Sequence, residues 1–70
     1  MNNTLPNGNT IVAIDFEAGI VLSSIDKIRG TEYVTHAFYG GDLHSTSIGH
    51  YMSDLGEARE DFNERVKRGY

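Results

Sequence analysis

The chain has 70 residues, ten acidic and six basic side chains, a net charge of −4 and no cysteine. This length predicts one domain with a small core, and the lack of cysteine excludes disulfides, thiolate metal sites and cysteine nucleophiles. The acidic balance disfavours nucleic acid as a partner, because binding to phosphates needs clustered Lys and Arg. The sequence has neither an apolar run of roughly 20 residues that could span a bilayer nor the parts of a signal peptide, so we expect a cytoplasmic protein without a membrane partner.

The N-terminal third predicts an arm followed by a hairpin. Residues 1–9 hold one Leu among Asn, Thr, Pro and Gly, a composition that predicts a flexible arm ahead of a single domain, 10–70. From Thr10, the runs TIVAIDF and IVLSS are apolar and β-branched, and EAG between them supplies Gly19 for a left-handed turn position. We therefore expect ordered structure to begin at Thr10 with two paired strands.

The middle of the chain predicts further strands. Residues 25–31 fit either one helical turn or a continuation of the second strand up to a turn at Arg29 and Gly30, and we favour the strand. EYVTHAFY has strong β propensity and predicts the third strand, while STSIGHYM predicts the fourth, with residues 41–45 as the loop between them.

The C-terminal segment predicts a helix. Asp54 can cap it, with Glu57 three residues later as in a capping box, and Gly69 can end it. One apolar stripe faces the sheet, formed by Leu55, Ala58, Phe62 and Val66. Asp61 and Arg65 are spaced for an ion pair along the helix surface. The predicted fold class is α+β: an antiparallel meander of three to four strands with one amphipathic C-terminal helix packed on one face.

Two histidines are the candidate metal ligands. A register that pairs apolar with apolar residues sets Phe38 opposite Ile48, His36 opposite His50 and Val34 opposite Met52. The two imidazoles would then lie about 5 Å apart, close enough to share a metal, with Asp42 or His44 as an imaginable third ligand. The alternative, which we favour, is a pair of neutral histidines with ordinary hydrogen bonds and no metal or other cofactor.

The same register places three tyrosines, Tyr33, Tyr39 and Tyr51, on the sheet face opposite the helix. Tyrosine is enriched at protein interfaces but also has high β propensity, and both interpretations stay open. Acidic side chains could add to a partner-binding surface on the first strand and on the helix, namely Asp15, Glu17, Glu57, Glu60, Asp61 and Glu64. The serines lack a nucleophile-elbow context and the acids lie on a predicted helix surface, so we expect no enzyme.

The chain is short, acidic and cysteine-free, and it is predicted to consist of a sheet plus a helix. In these properties it resembles the small accessory proteins of phages and prophages, including the anti-CRISPR type. The stretch GHYMSDLGEAREDF is also similar to the strand-then-helix segment of HicB-like antitoxins, where Leu55, Glu57 and Ala58 match an L-x-E-A pattern. Both resemblances imply a protein that acts by occupying another protein's surface.

The leading functional hypothesis is thus a non-enzymatic protein-binding module, an inhibitor or adaptor that holds a larger protein or complex with a basic surface. The first alternative is an antitoxin-like or regulatory domain that forms a homodimer, for which an unpaired strand edge offers the contact. The second alternative is a metal site at His36 and His50.

Overall fold

The computed structural model describes residues 3–46 and 49–70, and the side chains of these residues apart from 44–46. Its elements are β1 (Thr10–Asp15), β2 (Ile20–Lys27), β3 (Gly30–Tyr39), β4 (Asp42–Thr46), β5 (His50–Met52) and α1 (Leu55–Arg68). The strands form one antiparallel sheet in the order β1-β2-β3, and both β4 and β5 pair with the far side of β3. The predicted α+β fold with one C-terminal helix is confirmed.

The first two hairpins follow the sequence prediction. Gly19 ends the β1–β2 turn with φ +72°, and a Cβ there would lie 2.7 Å from the carbonyl oxygen of Phe38, so only glycine fits. β2 continues to Lys27, which pairs with Gly30 across a two-residue turn. Residues 25–31 are therefore strand and turn, as favoured.

The hairpin between β3 and β4 is tighter than predicted. Gly40 and Gly41 have φ of +62° and +72°, and Tyr39 pairs directly with Asp42. Positive φ at both central residues is the requirement of a type I′ turn, which joins two strands with two residues. The prediction of a loop at 41–45 and one strand at 45–52 is therefore wrong: β4 already begins at Asp42, and β5 is a separate strand.

The register of β5 differs from the prediction by one residue. Tyr33 pairs with Met52, Val34 with Tyr51, and Thr35 with His50. A physical reason lies at Gly49, where a Cβ would meet Nε2 of His36 at 2.6 Å and Cγ1 of Val34 at 2.8 Å. The ring of His36 thus packs over a position without a side chain, whereas the predicted register set it against the imidazole of His50.

A shift of one residue exchanges the two faces of a strand. Thr35 and His50 now face the helix, while Val34 and Tyr51 face the other way. The predicted pairs Val34–Met52 and His36–His50 are wrong. Phe38 pairs with Thr46, and its predicted partner Ile48 lies outside the described residues.

The helix ends as its sequence predicts. The carboxylate of Asp54 accepts a hydrogen bond from the backbone N–H of Glu57 at 2.9 Å, and Gly69 adopts the left-handed conformation with its N–H bonded to the carbonyl of Arg65. Ala58 is fully buried, and so, nearly, is Arg65, at 5% exposure. The helix covers the face of the sheet that carries Thr35.

The opposite face carries an apolar cluster, to which the N-terminal arm contributes. Leu5 is 5% exposed and packs with Val21 and Phe38, and three half-buried neighbours complete the cluster, namely Ile11, Ile14 and Leu43. The backbone N–H of Ile11 donates to the carbonyl of Asn3 at 2.7 Å. Contacts with the sheet thus begin ahead of Thr10, through the buried side chains of Leu5 and Asn9, whereas the first strand begins at Thr10 as predicted. We call this side of the sheet the arm face.

Candidate functional site

A polar cluster joins the helix to the centre of the sheet on the helix-covered face. Asp61 accepts hydrogen bonds from the hydroxyl of Thr35 and, at 2.9 Å, from Nδ1 of His50. Arg65 donates to the carbonyl and hydroxyl oxygens of Thr35 at 3.0 and 3.1 Å. The Thr35 hydroxyl therefore lies between the carboxylate of Asp61 and the guanidinium of Arg65. The direct ion pair between these two residues that was predicted for the helix surface does not form.

Partial burial would by itself raise the pKa of Asp61, but the hydrogen bonds from Thr35 and His50 and the nearby positive charges together hold that pKa below its ordinary value of 3.8. The carboxylate therefore stays ionised and holds β3, β5 and the helix together. Nε of Arg65 is buried without a hydrogen-bond partner. The cluster is consistent with a structural role.

The predicted histidine pair does not exist. His50 points to the helix and His36 lies on the arm face, because His50 pairs with Thr35 and neighbouring strand residues alternate. Among the described side chains, those of residues 3–43 and 49–70, no group of three or more His, Cys, Asp or Glu could hold a metal ion. The side chain of His44, one of the two imagined third ligands, lies outside the described ones. The arrangement that motivated the metal hypothesis is absent.

The three tyrosines do not share one surface. Tyr33 is half-buried and lies on the helix-covered face, opposite Met52. Tyr51 lies on the arm face opposite Val34 and is 64% exposed, and Tyr39, at the end of β3, is 62% exposed. The prediction of one tyrosine-bearing face is wrong because it rested on the shifted register.

Tyr51 instead borders a small cleft of about 210 Å³ on the arm face. Buried Val34 lines it together with Ile25, which is 37% exposed, and with Asn7 and Asn9 of the arm. The remaining lining residues are Lys27, Glu32 and His36. We call this feature the Tyr51 cleft.

The charges of the Tyr51 cleft are largely neutralised. Lys27 and Glu32 form an ion pair at 2.9 Å. Burial and, secondarily, the charge of Arg65 lower the pKa of His36 below 6.5, so its imidazole is neutral at pH 7. The His36 ring meets the Tyr51 ring edge to face at 6.4 Å, and its Nδ1 is buried without a partner. The cleft therefore offers a mainly neutral, amphipathic surface.

Neither the cleft nor its arm-derived wall follows from the sequence prediction. The one signal that could have indicated it is Gly49, since a strand glycine next to a histidine-bearing strand favours a close approach of that ring. Gly49 would then have fixed the register and placed Tyr51 beside His36.

The predicted acidic residues occupy two different places. Glu57, Glu60 and Glu64 are exposed along the helix, whereas Asp61 turns towards the sheet. Asp15 and Glu17 lie at the β1–β2 turn, where they line a groove of about 440 Å³ with the C-terminal end of the helix. Lys67 and Arg68 form the other wall of that groove, which we call the charged groove.

Comparison of the chain with protein-family models, with curated proteins and with solved structures finds no match. No helix in the described part of the chain has the length and apolar character needed to cross a membrane.

Proposed function

We propose that this protein is a non-enzymatic protein-binding module and that the Tyr51 cleft is its contact site. The observation that carries the proposal is the exposure of Tyr51, a large aromatic side chain at the border of a cleft with a buried apolar residue, Val34, in its lining. Interface hot spots are typically aromatic side chains at well-packed pockets, and they dominate the binding energy.

The size of the cleft favours a protein partner over a free small molecule. Ligand pockets for small molecules usually have about 300–1,000 Å³, and the Tyr51 cleft has about 210 Å³. A cavity of roughly 150 Å³ accommodates a benzene ring, so a cleft of this size suits a single side chain of a partner. The rest of the contact would then come from the surrounding surface.

That surface contains further exposed apolar side chains. Ile25 lines the cleft, and Ile28, at the tip of the β2–β3 hairpin, is fully exposed. Ile25, which shares the cleft with Tyr51, and the exposed Ile28 supply apolar area whose removal from water on binding contributes roughly 25 cal/mol per Å². Ile25, Ile28 and Tyr51 thus define the binding surface that we propose.

The narrower proposal is an inhibitor of the phage-type, anti-defence class that acts by occupying a host protein or complex in the cytoplasm. Its support is the resemblance in length, acidity and sheet-plus-helix make-up. The exposed glutamates of the helix, Glu57, Glu60 and Glu64, would favour a partner with a basic surface and speed the encounter.

The experiment is affinity capture from the source cells with immobilised protein, followed by quantitative mass spectrometry. The variants are Tyr51→Ala and, as the matched control, Tyr39→Ala, which removes the same side chain from a position of nearly equal exposure. We expect Tyr51→Ala to capture at least tenfold less of the specific partner than wild type, since truncation of a hot-spot residue costs about 2 kcal/mol or more of binding free energy. Equal capture by wild type and Tyr51→Ala would contradict the proposal.

A further inference from the structure

The charged groove has opposite charges on its two walls. Asp15 and Glu17 come from the β1–β2 turn, and Lys67 and Arg68 come from the last turn of α1. Among the residues that the structure describes, Asp15, Glu17, Lys67 and Arg68 form no ion pair within 4.0 Å, unlike Lys27–Glu32 and His50–Asp61. The two walls therefore face one groove without forming an ion pair across it.

An exposed aromatic residue is adjacent in the sequence to each charged wall, although neither ring lines the groove and the Phe16 ring meets the Phe38 ring edge to face at 5.6 Å. Phe16, between the two acids, is 62% exposed, and Tyr70, after the basic pair, is 68% exposed. The Arg68 guanidinium lies 5.2 Å from the centre of the Tyr70 ring. Aromatic residues and arginine are enriched at protein interfaces, so the exposed Arg68–Tyr70 contact at the end of the helix suits a contact surface.

The adjoining edge of the sheet is open in part. β1 pairs with β2 on one side, and on its other side the backbone of the arm pairs with the strand at Thr10 and Ile11. The side chain of Leu5 packs in the cluster that also includes Ile14. Between Val12 and Asp15, the described part of the chain provides no second partner strand. An unpaired edge of this kind is a template for another strand.

We propose that a second copy of this chain docks at the charged groove and forms a two-fold symmetric dimer. A two-fold axis that lies in the contact plane and runs along the groove sets the acidic wall of each copy against the basic wall of the other. Glu17, Lys67 and Arg68 of each copy would then face opposite charges, as would Asp15, whose carboxylate also accepts a hydrogen bond from the backbone N–H of Ala18 at 2.9 Å. A domain of 70 residues buries only about 60% of its chain surface, so a dimer would add to an undersized core.

The test uses charge reversal in the isolated full chain. Sedimentation velocity is measured from about 1 to about 200 μM, a range that covers the dissociation of a weak dimer. Wild type should dimerise, and added salt should weaken the dimer because exposed charges are screened. Glu17→Lys and Lys67→Glu should each weaken the dimer at least tenfold, because each sets like charges against each other.

Mixing the two single variants should restore the dimer, because every contact of the heterodimer then joins opposite charges. One contact sets Lys at position 17 against Glu at position 67, and the other sets the unchanged Lys67 against the unchanged Glu17. Both changed residues are exposed, so thermal unfolding should show that each variant stays folded. A monomeric wild type at the highest concentration overturns the proposal, and so does a dimer that neither reversal weakens. Either outcome leaves the partner-capture result for Tyr51 untouched.

Discussion

Arg65 donates two hydrogen bonds from one nitrogen to Thr35, one to its carbonyl and one to its hydroxyl oxygen, at 3.0 and 3.1 Å. Both residues are almost completely buried. A cation of the last helical turn is thereby fixed at the centre of the middle strand. The contact determines where the C-terminal end of the helix lies on the sheet.

The substitution Arg65→Ala tests this contact. It removes charged hydrogen bonds to a buried strand residue and the packing of the aliphatic stem, so we expect the free energy of unfolding to fall by about 2–3 kcal/mol. Urea denaturation measures the change. Arg59→Ala, on the exposed side of the same helix, should stay within about 0.5 kcal/mol of wild type. Equal effects at the two positions would show that the buried contact contributes nothing.

We expect the protein to lose stability in mild acid because of His36. Burial lowers its pKa in the folded state below 6.5, so the unfolded chain takes up a proton first as the pH falls. The stabilisation is complete above pH 6.5 and is lost as the pH drops from there through the lower, folded pKa. Thermal unfolding should therefore show a lower free energy of unfolding at about pH 5.5 than at about pH 7.5.

The variant His36→Gln should reduce this pH dependence, whereas His50→Gln should not abolish it. In the register predicted from the sequence the two histidines are neighbours, which would make both of them necessary for the pH dependence. If His50→Gln removed the pH dependence and His36→Gln left it intact, the assignment to His36 would fail.

We expect the substitution Gly49→Ala to destabilise the fold through steric contacts. An Ala at this position would place its Cβ 2.6 Å from Nε2 of His36 and 2.8 Å from Cγ1 of Val34. Relief of such contacts by shifting the ring or the strand typically costs about 1–3 kcal/mol. Gly56→Ala is the control, because the nearest atom to its Cβ is the side-chain Oδ2 of Asp54 at 3.1 Å and alanine gains helix propensity. A stable Gly49→Ala protein would contradict the packing of His36 over β5.

A substitution at Leu5 tests whether the N-terminal arm packs on the sheet. The Leu5 side chain is 5% exposed and packs on Val21 and Phe38, so Leu5→Ala should lower the free energy of unfolding by about 2–3 kcal/mol, near the lower end for buried leucines. Asn3→Ala, at an exposed position of the same arm, should change it by less than about 0.5 kcal/mol. An arm that does not pack in solution would give no difference between the two variants.

The elements that could be predicted from the sequence are those with local signals. The helix is specified by Asp54 before its first turn and Gly69 after its last, and both act within a few residues of themselves. The β1–β2 hairpin depends on Gly19 in the same way. Local signals of this kind need no knowledge of the rest of the fold.

The register of β5 could not be predicted by matching apolar residues. Its three residues, His50, Tyr51 and Met52, carry amphipathic or apolar side chains on both faces, so either alternation is chemically acceptable. The deciding contact is between Gly49 and His36, 13 residues apart in the sequence. As a result, the predicted tyrosine surface was wrong, and the Tyr51 cleft was missed.

Burial of the arm and of Arg65 also depends on distant contacts. A single leucine in a polar segment predicts no packing until the positions of Val21 and Phe38 are known. Arg65 did have a signal, since it lies seven residues after Ala58 and therefore on the buried face of the helix. Its charge favoured the surface interpretation, because buried arginine is uncommon without partners such as Thr35.

Tyr51 lies on the arm face beside His36 and Val34, and the proposed binding site depends on this placement. NMR spectroscopy of the labelled protein tests the placement through nuclear Overhauser effects from the Tyr51 ring protons. The structure predicts contacts from that ring to the His36 ring and to the methyl groups of Val34. Contacts from the Tyr51 ring to helix residues around Asp61 would instead place Tyr51 under the helix and contradict both the register and the proposed binding site.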